Sequence, residues 1–100
     1  MANMESQVIF VSGAATGHGA AYARGVVRAG GTVVANDINE KGLAVLQAEL
    51  GKRCIALPGD MGRADELIRE AISRADSLDA IINNAGWSGA AHIVDMTADV

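Results

Sequence analysis

The residues best suited to chemistry in this sequence gather in one octapeptide, Ser12-Gly13-Ala14-Ala15-Thr16-Gly17-His18-Gly19. Its glycines are spaced Gly-x-x-x-Gly-x-Gly. An apolar run, Val8-Ile9-Phe10-Val11, precedes it and a helical pattern follows. A strand, a glycine-rich turn and a helix in that order can cradle the phosphates of a dinucleotide. Gly13 can turn sharply off the strand because it has no Cβ. Gly17 leaves room for a phosphate beside the backbone, and Gly19 lets the helix pack close to the strand. The first amides of a helix have no intrahelical partner and lie at its positive end, which suits a pyrophosphate. Asp37, eighteen residues after Gly19, is spaced to accept hydrogen bonds from a ribose. The plainer reading of Asp37 is a solvated turn residue.

The elements that must position these residues alternate along the chain. Gln7 to Ser12 is expected as a buried strand. A helix follows, from near Gly19 to about Ala29, with Ala20, Ala23 and Val27 facing the sheet, Arg24 and Arg28 facing away, and Gly30-Gly31 as its stop. Thr32 to Asn36 is a second strand rich in β-branched residues. Asn39 caps a second helix whose stripe is Leu43, Leu46 and Leu50, with Gly51 as its end. Cys54 to Leu57 is a short third strand, broken by Pro58-Gly59. The third helix spans Arg63 to Ala75, with Glu70 and Arg74 as an i,i+4 pair. Leu78 to Asn83 is the fourth strand, Gly86 to Asp95 a loop, and Thr97 the cap of a helix barely begun at Val100. Right-handed crossovers then predict an α/β fold, a doubly wound parallel sheet of order 3-2-1-4. Its crevice opens beyond the carboxyl ends of strands one and four, where the order reverses.

Composition narrows the partners. The net charge is −4 and the pI about 4.9, with no basic cluster. That argues against nucleic acid and against an anionic membrane, so a phosphate would be held by backbone amides. Aromatics are limited to Phe10, Tyr22 and Trp87, which leaves an aliphatic, alanine-rich core. Cys54 is the single cysteine, so no internal disulfide forms, and a small core residue is its expected role. A reducing compartment is the default for such a chain. Met1 to Gln7 lacks an apolar signal core, and no apolar run is long enough to span a bilayer. A soluble, cytoplasmic protein is expected.

The turn spacing resembles that of the short-chain dehydrogenase/reductase family. Asn83-Asn84-Ala85-Gly86 looks like the second signature of that family, and Asp37 falls where the family places its ribose-binding acid. The resemblance runs from Val8 to about Asp99. It implies a Rossmann-like fold and a cofactor site comprising Gly13, Thr16, Gly17, His18, Gly19, Asp37, Ile38, Asp60, Met61, Asn84, Ala85 and Gly86. Asp60 and Met61 match the adenine-contacting pair, against a rival reading of Asp60 as a loop acid capping the third helix. Asn83 and Asn84 would cross-link neighbouring backbone and fix the crevice wall, with Trp87 at its mouth or packed elsewhere. Ser12 stands for the usual threonine. His18 stands for the usual aliphatic residue, as a neighbour of the phosphates that could help hold them if charged. No arginine or lysine occupies positions 14, 15 or 38, where NADP users of the family often carry one. NAD is therefore expected over NADP, together with a small-molecule alcohol or ketone substrate and a homo-oligomeric full-length protein.

The family's catalytic machinery, a Tyr-x-x-x-Lys pair with a serine and an asparagine, cannot be placed. Tyr22 is followed four residues later by Val26, and Lys41 and Lys52 have no tyrosine at that spacing. Ser88 follows the second signature too closely. No catalytic residue is assigned, and Val100 is expected to be a truncation within a single NAD-binding domain. Two rivals stand beside the oxidoreductase. One is an NAD-binding module or sensor without chemistry. The other is an S-adenosylmethionine-dependent methyltransferase, against which the glycine spacing and Asn83–Gly86 weigh.

Overall fold

The computed structural model describes residues 4–84 and the strand 92–95. Strands β1 (Val8–Ser12), β2 (Thr32–Asp37), β3 (Cys54–Pro58), β4 (Ala80–Asn83) and β5 (His92–Asp95) form one sheet in the order β3-β2-β1-β4-β5. Helices α1 (Gly17–Arg28), α2 (Glu40–Leu50) and α3 (Ala64–Ala75) make the crossovers. β1 through β4 pair in parallel, with Val8 opposite Thr32 and Ile9 opposite Ala80.

All five residues of β1 are buried, because helices cover both faces of the strand at the centre of the sheet. Period-two alternation divides them. Ile9 and Val11 join Val33, Ala35 and Cys54 beneath α1 and α2. Val8 and Phe10 join Val34 and Leu57 beneath Leu67 and Ala71 of α3. Phe10 is fully buried, a placement worth about 1.5–3 kcal/mol.

α1 begins at Gly17, two residues earlier than expected, and its buried face is Gly19, Ala20, Ala23 and Val26. Val27 flanks this stripe, partly buried. The shift follows from where α1 lies. A Cβ on Gly19 would sit 2.0 Å from the Gly13 carbonyl oxygen, so the helix touches the sheet along the smallest side chains. At the other end the Gly31 N–H donates to Val26 O (2.9 Å) and the Gly30 N–H to Val27 O (3.0 Å). Gly30 supplies the positive φ of 95° that this paired ending needs.

Asn39 caps α2, its side chain accepting from the Gly42 N–H at 3.0 Å. Leu43 and Leu46 are buried, and Leu50 is partly so. Arg24 of α1 and Glu49 of α2 form a two-pronged pair at 2.6 and 3.0 Å. The hydrogen bond from Arg24 holds the Glu49 carboxyl below its ordinary range. α3 starts at Ala64, after a short 3-10 turn at Met61–Arg63, and the expected Glu70–Arg74 pair forms at 2.8 Å.

Two expectations for the far edge are corrected. β4 is four residues long, not six: Asp79, just before it, meets Val8 with one backbone and one side-chain bond, its N–H donating to Val8 O at 2.8 Å and its Oδ2 accepting from the Val8 N–H at 2.7 Å. The expected loop over Gly86 to Asp95 contains β5, antiparallel to β4, with Ile82 opposite Ile93 and Asn83 opposite His92. β4 is therefore not an open edge. An antiparallel partner satisfies the outer backbone groups of β4 that a purely parallel order would leave bare. Ala85, Gly86, Trp87, Ser88 and the helix start at Thr97 lie outside the described residues.

Two outcomes test this packing in the full chain. Gly19→Ala should destabilise by roughly 3 kcal/mol, since the new methyl overlaps backbone, whereas Gly17→Ala, with nothing within 4 Å of its Cβ, should be neutral or stabilising by up to about 1 kcal/mol. Urea titration of both variants checks the contrast. Cys54 is 1% exposed and burial pushes its thiol up to about 11. It should resist a thiol-disulfide reagent at pH 8 until denaturant is added, read as released chromophore.

Candidate functional site

At the carboxyl ends of the parallel strands lies a crevice of about 750 Å³. The turn after β1 supplies one wall through Gly13, Thr16, Gly17 and His18. The end of β2 supplies Asn36, Asp37 and Ile38. Gly59, Asp60 and Met61 close the side beyond β3, and Asn84 the side beyond β4. Of the expected residues that are described, only Gly19 is not in this lining. It is buried behind the turn, where its missing side chain admits the Gly13 carbonyl.

The turn is held from three directions. Gly13 takes φ 65°, a left-handed conformation that glycine adopts without strain. Its carbonyl accepts from Thr16 Oγ1 at 3.1 Å and from Asn84 Nδ2 at 3.4 Å. The Ala14 N–H donates to Asn36 O at 2.9 Å, and the Ala15 N–H to Asp37 Oδ2 at 3.0 Å. Ser12, fully buried, accepts from the Asn84 N–H at 2.8 Å and donates to Asn83 Oδ1 at 3.0 Å. The two asparagines thus tie the exit of β4 to the turn.

α1 presents a bare positive end to the crevice. Thr16 stands at its N-cap but makes no capping bond, because its hydroxyl turns back to Gly13 O. The first turn of α1 carries no acidic residue. α2 and α3, by contrast, carry Glu40 and Asp65 with Glu66 in their first turns. Acid groups there offset the partial positive charge of a helix start, and at α1 that charge is left for whatever enters the crevice. A Cβ on Gly17 would have nothing within 4 Å of it, so no neighbour among the described residues demands a glycine there.

Asp37 is not a free solvated acid. Its Oδ2 accepts from Ala15, and its Oδ1 accepts from the Asn39 N–H at 3.0 Å. Each oxygen keeps a further lone pair for another donor. Asp60 meets the rival reading in part, since its Oδ1 accepts from the Gly62 N–H at 2.9 Å and caps the 3-10 turn ahead of α3. It lines the crevice as well. Ile38 stands 74% exposed at the rim, and Met61 packs on the α3 side of the core.

Sequence reasoning missed Asn36 and Gly59. Asn36 is 1% exposed, and its Nδ2 donates to Leu57 O at 2.9 Å and Gly59 O at 3.1 Å. The Gly59 N–H donates back to Asp37 O at 3.1 Å. The signal was an amide side chain in an otherwise apolar strand, which burial makes costly unless it bonds.

The sequence matches the short chain dehydrogenase family over residues 7–100. Hydroxyacyl-CoA dehydrogenase ChsB1 of Mycobacterium tuberculosis is 37% identical over 97 residues, covering 84% of this chain and 30% of that protein. L-fucose dehydrogenase of Rattus norvegicus is 36% identical over 95 residues, covering 92% and 35%. A crystal structure of 3-ketoacyl-(acyl-carrier-protein) reductase from Brucella melitensis, complexed with NADH, superposes with a TM-score of 0.73 at 25% identity, covering 77% of this chain and 33% of that one. A short-chain dehydrogenase from Streptomyces avermitilis gives 0.73 at 32% identity, covering 80% and 31%. The chain spans about a third of the length of these relatives. By sequence and by fold, it belongs to the short-chain dehydrogenase family.

Proposed function

We propose that the crevice binds a nicotinamide dinucleotide, NAD in preference to NADP, within an oxidoreductase acting on a secondary alcohol or carbonyl of a small molecule. The observation that carries this reading is the pairing of a bare α1 start with the unfilled space at Gly17. A diphosphate placed there meets amides without intrahelical partners and the positive end of the helix. Asp37 accepts from the hydroxyls of the adenosine ribose and repels a 2′-phosphate. Ile38 and Met61 give apolar contact to the adenine, and Asp60 accepts from its amino group. Asn84 lies on the wall nearer the nicotinamide, and the family resemblance assigns Ala85 and Gly86, outside the described residues, to the same cofactor.

The bound cofactor supplies the hydride chemistry, while this chain holds and orients it. Residues 1–100 serve as the cofactor-binding domain. Proton transfer to or from the substrate falls to groups outside these residues, since Tyr22 lacks a lysine at the family spacing. The alcohol or carbonyl class is supported by relatives that are hydroxyacyl-CoA and L-fucose dehydrogenases. No described helix is long and apolar enough to cross a membrane. We place the protein in the cytoplasm, as a homo-oligomer in full length.

Two results test the reading in the full chain. Gly17→Ala should weaken NAD binding about tenfold or more by calorimetry without lowering the urea midpoint, because the added methyl occupies ligand space and not core. Unchanged affinity would sink the phosphate assignment. Asp37→Ala should narrow the ratio of NADP to NAD dissociation constants by roughly tenfold. The ratio is the right readout, because losing the Ala15 and Asn39 bonds weakens both cofactors. An unmoved ratio refutes the role of Asp37.

A further inference from the structure

We propose that Asn36 is a positioning residue for base recognition: by tying the exit of β3 to β2, it holds Asp60 where the crevice tells one purine from another. The inference rests on the dinucleotide reading of the crevice and extends it to a side chain outside the glycine turn.

Asn36 places an amide at the carboxyl end of β2, 1% exposed. A buried amide is costly unless its N–H groups find acceptors. The Nδ2 group meets two, Leu57 O at 2.9 Å and Gly59 O at 3.1 Å. These carbonyls lie on either side of Pro58, which stands opposite Asp37 at the last register position of β2 and β3. Proline has no N–H, so the strand pairing lacks a donor at the point where β3 ends. The Asn36 amide bridges that point from β2. It thereby fixes the direction in which the chain leaves the sheet.

Gly59 is held from other sides as well. Its N–H donates to Asp37 O at 3.1 Å. It takes φ 155°, and a Cβ there would lie 2.7 Å from Leu67 Cδ2 of α3. The next residue, Asp60, lines the crevice. Its own bonds run forward, its Oδ1 accepting from the Gly62 N–H at 2.9 Å and its carbonyl from the Arg63 N–H at 2.9 Å. The tie of Asp60 to the sheet therefore passes through Gly59, and the side-chain part of that tie is Asn36. The second oxygen of Asp60 remains for a donor on the ligand.

The chemistry that such an oxygen reads is the exocyclic group of a purine. Adenine offers an amino donor there, and hypoxanthine offers an oxygen. A carboxylate accepts from the first and repels the second. Hydrogen bonds weaken steeply with distance and angle, so a displaced loop loses this preference before it loses the contacts that both bases share.

The test is calorimetric titration of the full chain with NAD⁺ and with its hypoxanthine analogue. The two share diphosphate, riboses and nicotinamide, so a general loosening of the crevice cancels from the ratio of their dissociation constants. The unsubstituted protein should favour NAD⁺ by about tenfold. Asn36→Ala should bring the ratio to about threefold or less. Asn36→Ser, whose hydroxyl is too short to span both carbonyls, should do the same and carries the test if Asn36→Ala fails to fold by urea titration. Asp60→Ala should also lower the ratio, and adding Asn36→Ala to it should move the ratio no further, because both residues act through one contact. An undiminished ratio in the folded Asn36 variants overturns the proposal and leaves the dinucleotide reading intact. So does a further fall in the double variant, because Asn36 then acts elsewhere. A ratio near one in the unsubstituted protein overturns the proposal together with the role of Asp60, while the phosphate assignment stands. Absence of NAD⁺ binding overturns both readings.

Discussion

The contact between the Gly13 carbonyl and α1 is the constraint on which the rest of the structure depends. That carbonyl lies where a Cβ on residue 19 would be, at 2.0 Å, so only glycine lets the helix start this close to the sheet. The same oxygen accepts from Thr16 and from Asn84. One backbone group thereby sets the height of α1, the turn before it and the wall beyond β4. Because Thr16 is spent on that carbonyl, it does not cap α1, and the amide end of the helix is left to face the crevice. The packing requirement and the exposed helix start are two consequences of one close approach.

The sheet is divided along its length. Its body is apolar on both faces, with aliphatic side chains and Phe10 between the helices. Its carboxyl end is polar: Ser12, Asn36, Asp37, Asn83 and Asn84 all fall there. Burying such groups costs about 1–3 kcal/mol each when they lack partners. Among the described residues no buried side-chain polar atom is left without one. The partners are mostly backbone groups of neighbouring loops, so the network cross-links loops that would otherwise be tied only through their strands. The crevice walls are therefore held in register before any ligand arrives, which lowers the ordering cost of binding.

Charge is distributed by the same economy of means. The crevice holds two carboxylates, Asp37 and Asp60, each already accepting a backbone N–H. Its positive potential comes from the start of α1, since no lysine or arginine is among the described lining residues.

Much of this was legible from the residues alone. Continuous apolar and β-branched runs marked the parallel strands, and Gly13, Gly17 and Gly19 marked the turn, because backbone sterics are local and carry the same meaning in any fold. Asn39 as a cap and Gly30-Gly31 as a stop were readable for the same reason. Other features depended on what lies opposite. β5 was hidden because four residues, His92 to Asp95, form a strand only when an edge such as β4 offers its bonds. The buried choice of Val26 over Val27 turned on how closely α1 meets the sheet. Asn36 became part of the site because β3 and its exit loop bring Leu57 and Gly59 to it. The double engagement of Asp37, likewise, required the glycine turn and the start of α2 to meet at one carboxylate. The sequence by itself determined which segments are strands and helices and where the chain can turn. The tertiary structure decided which polar groups share a crevice, because hydrogen-bond partners far apart in sequence are supplied only by the packing of the sheet.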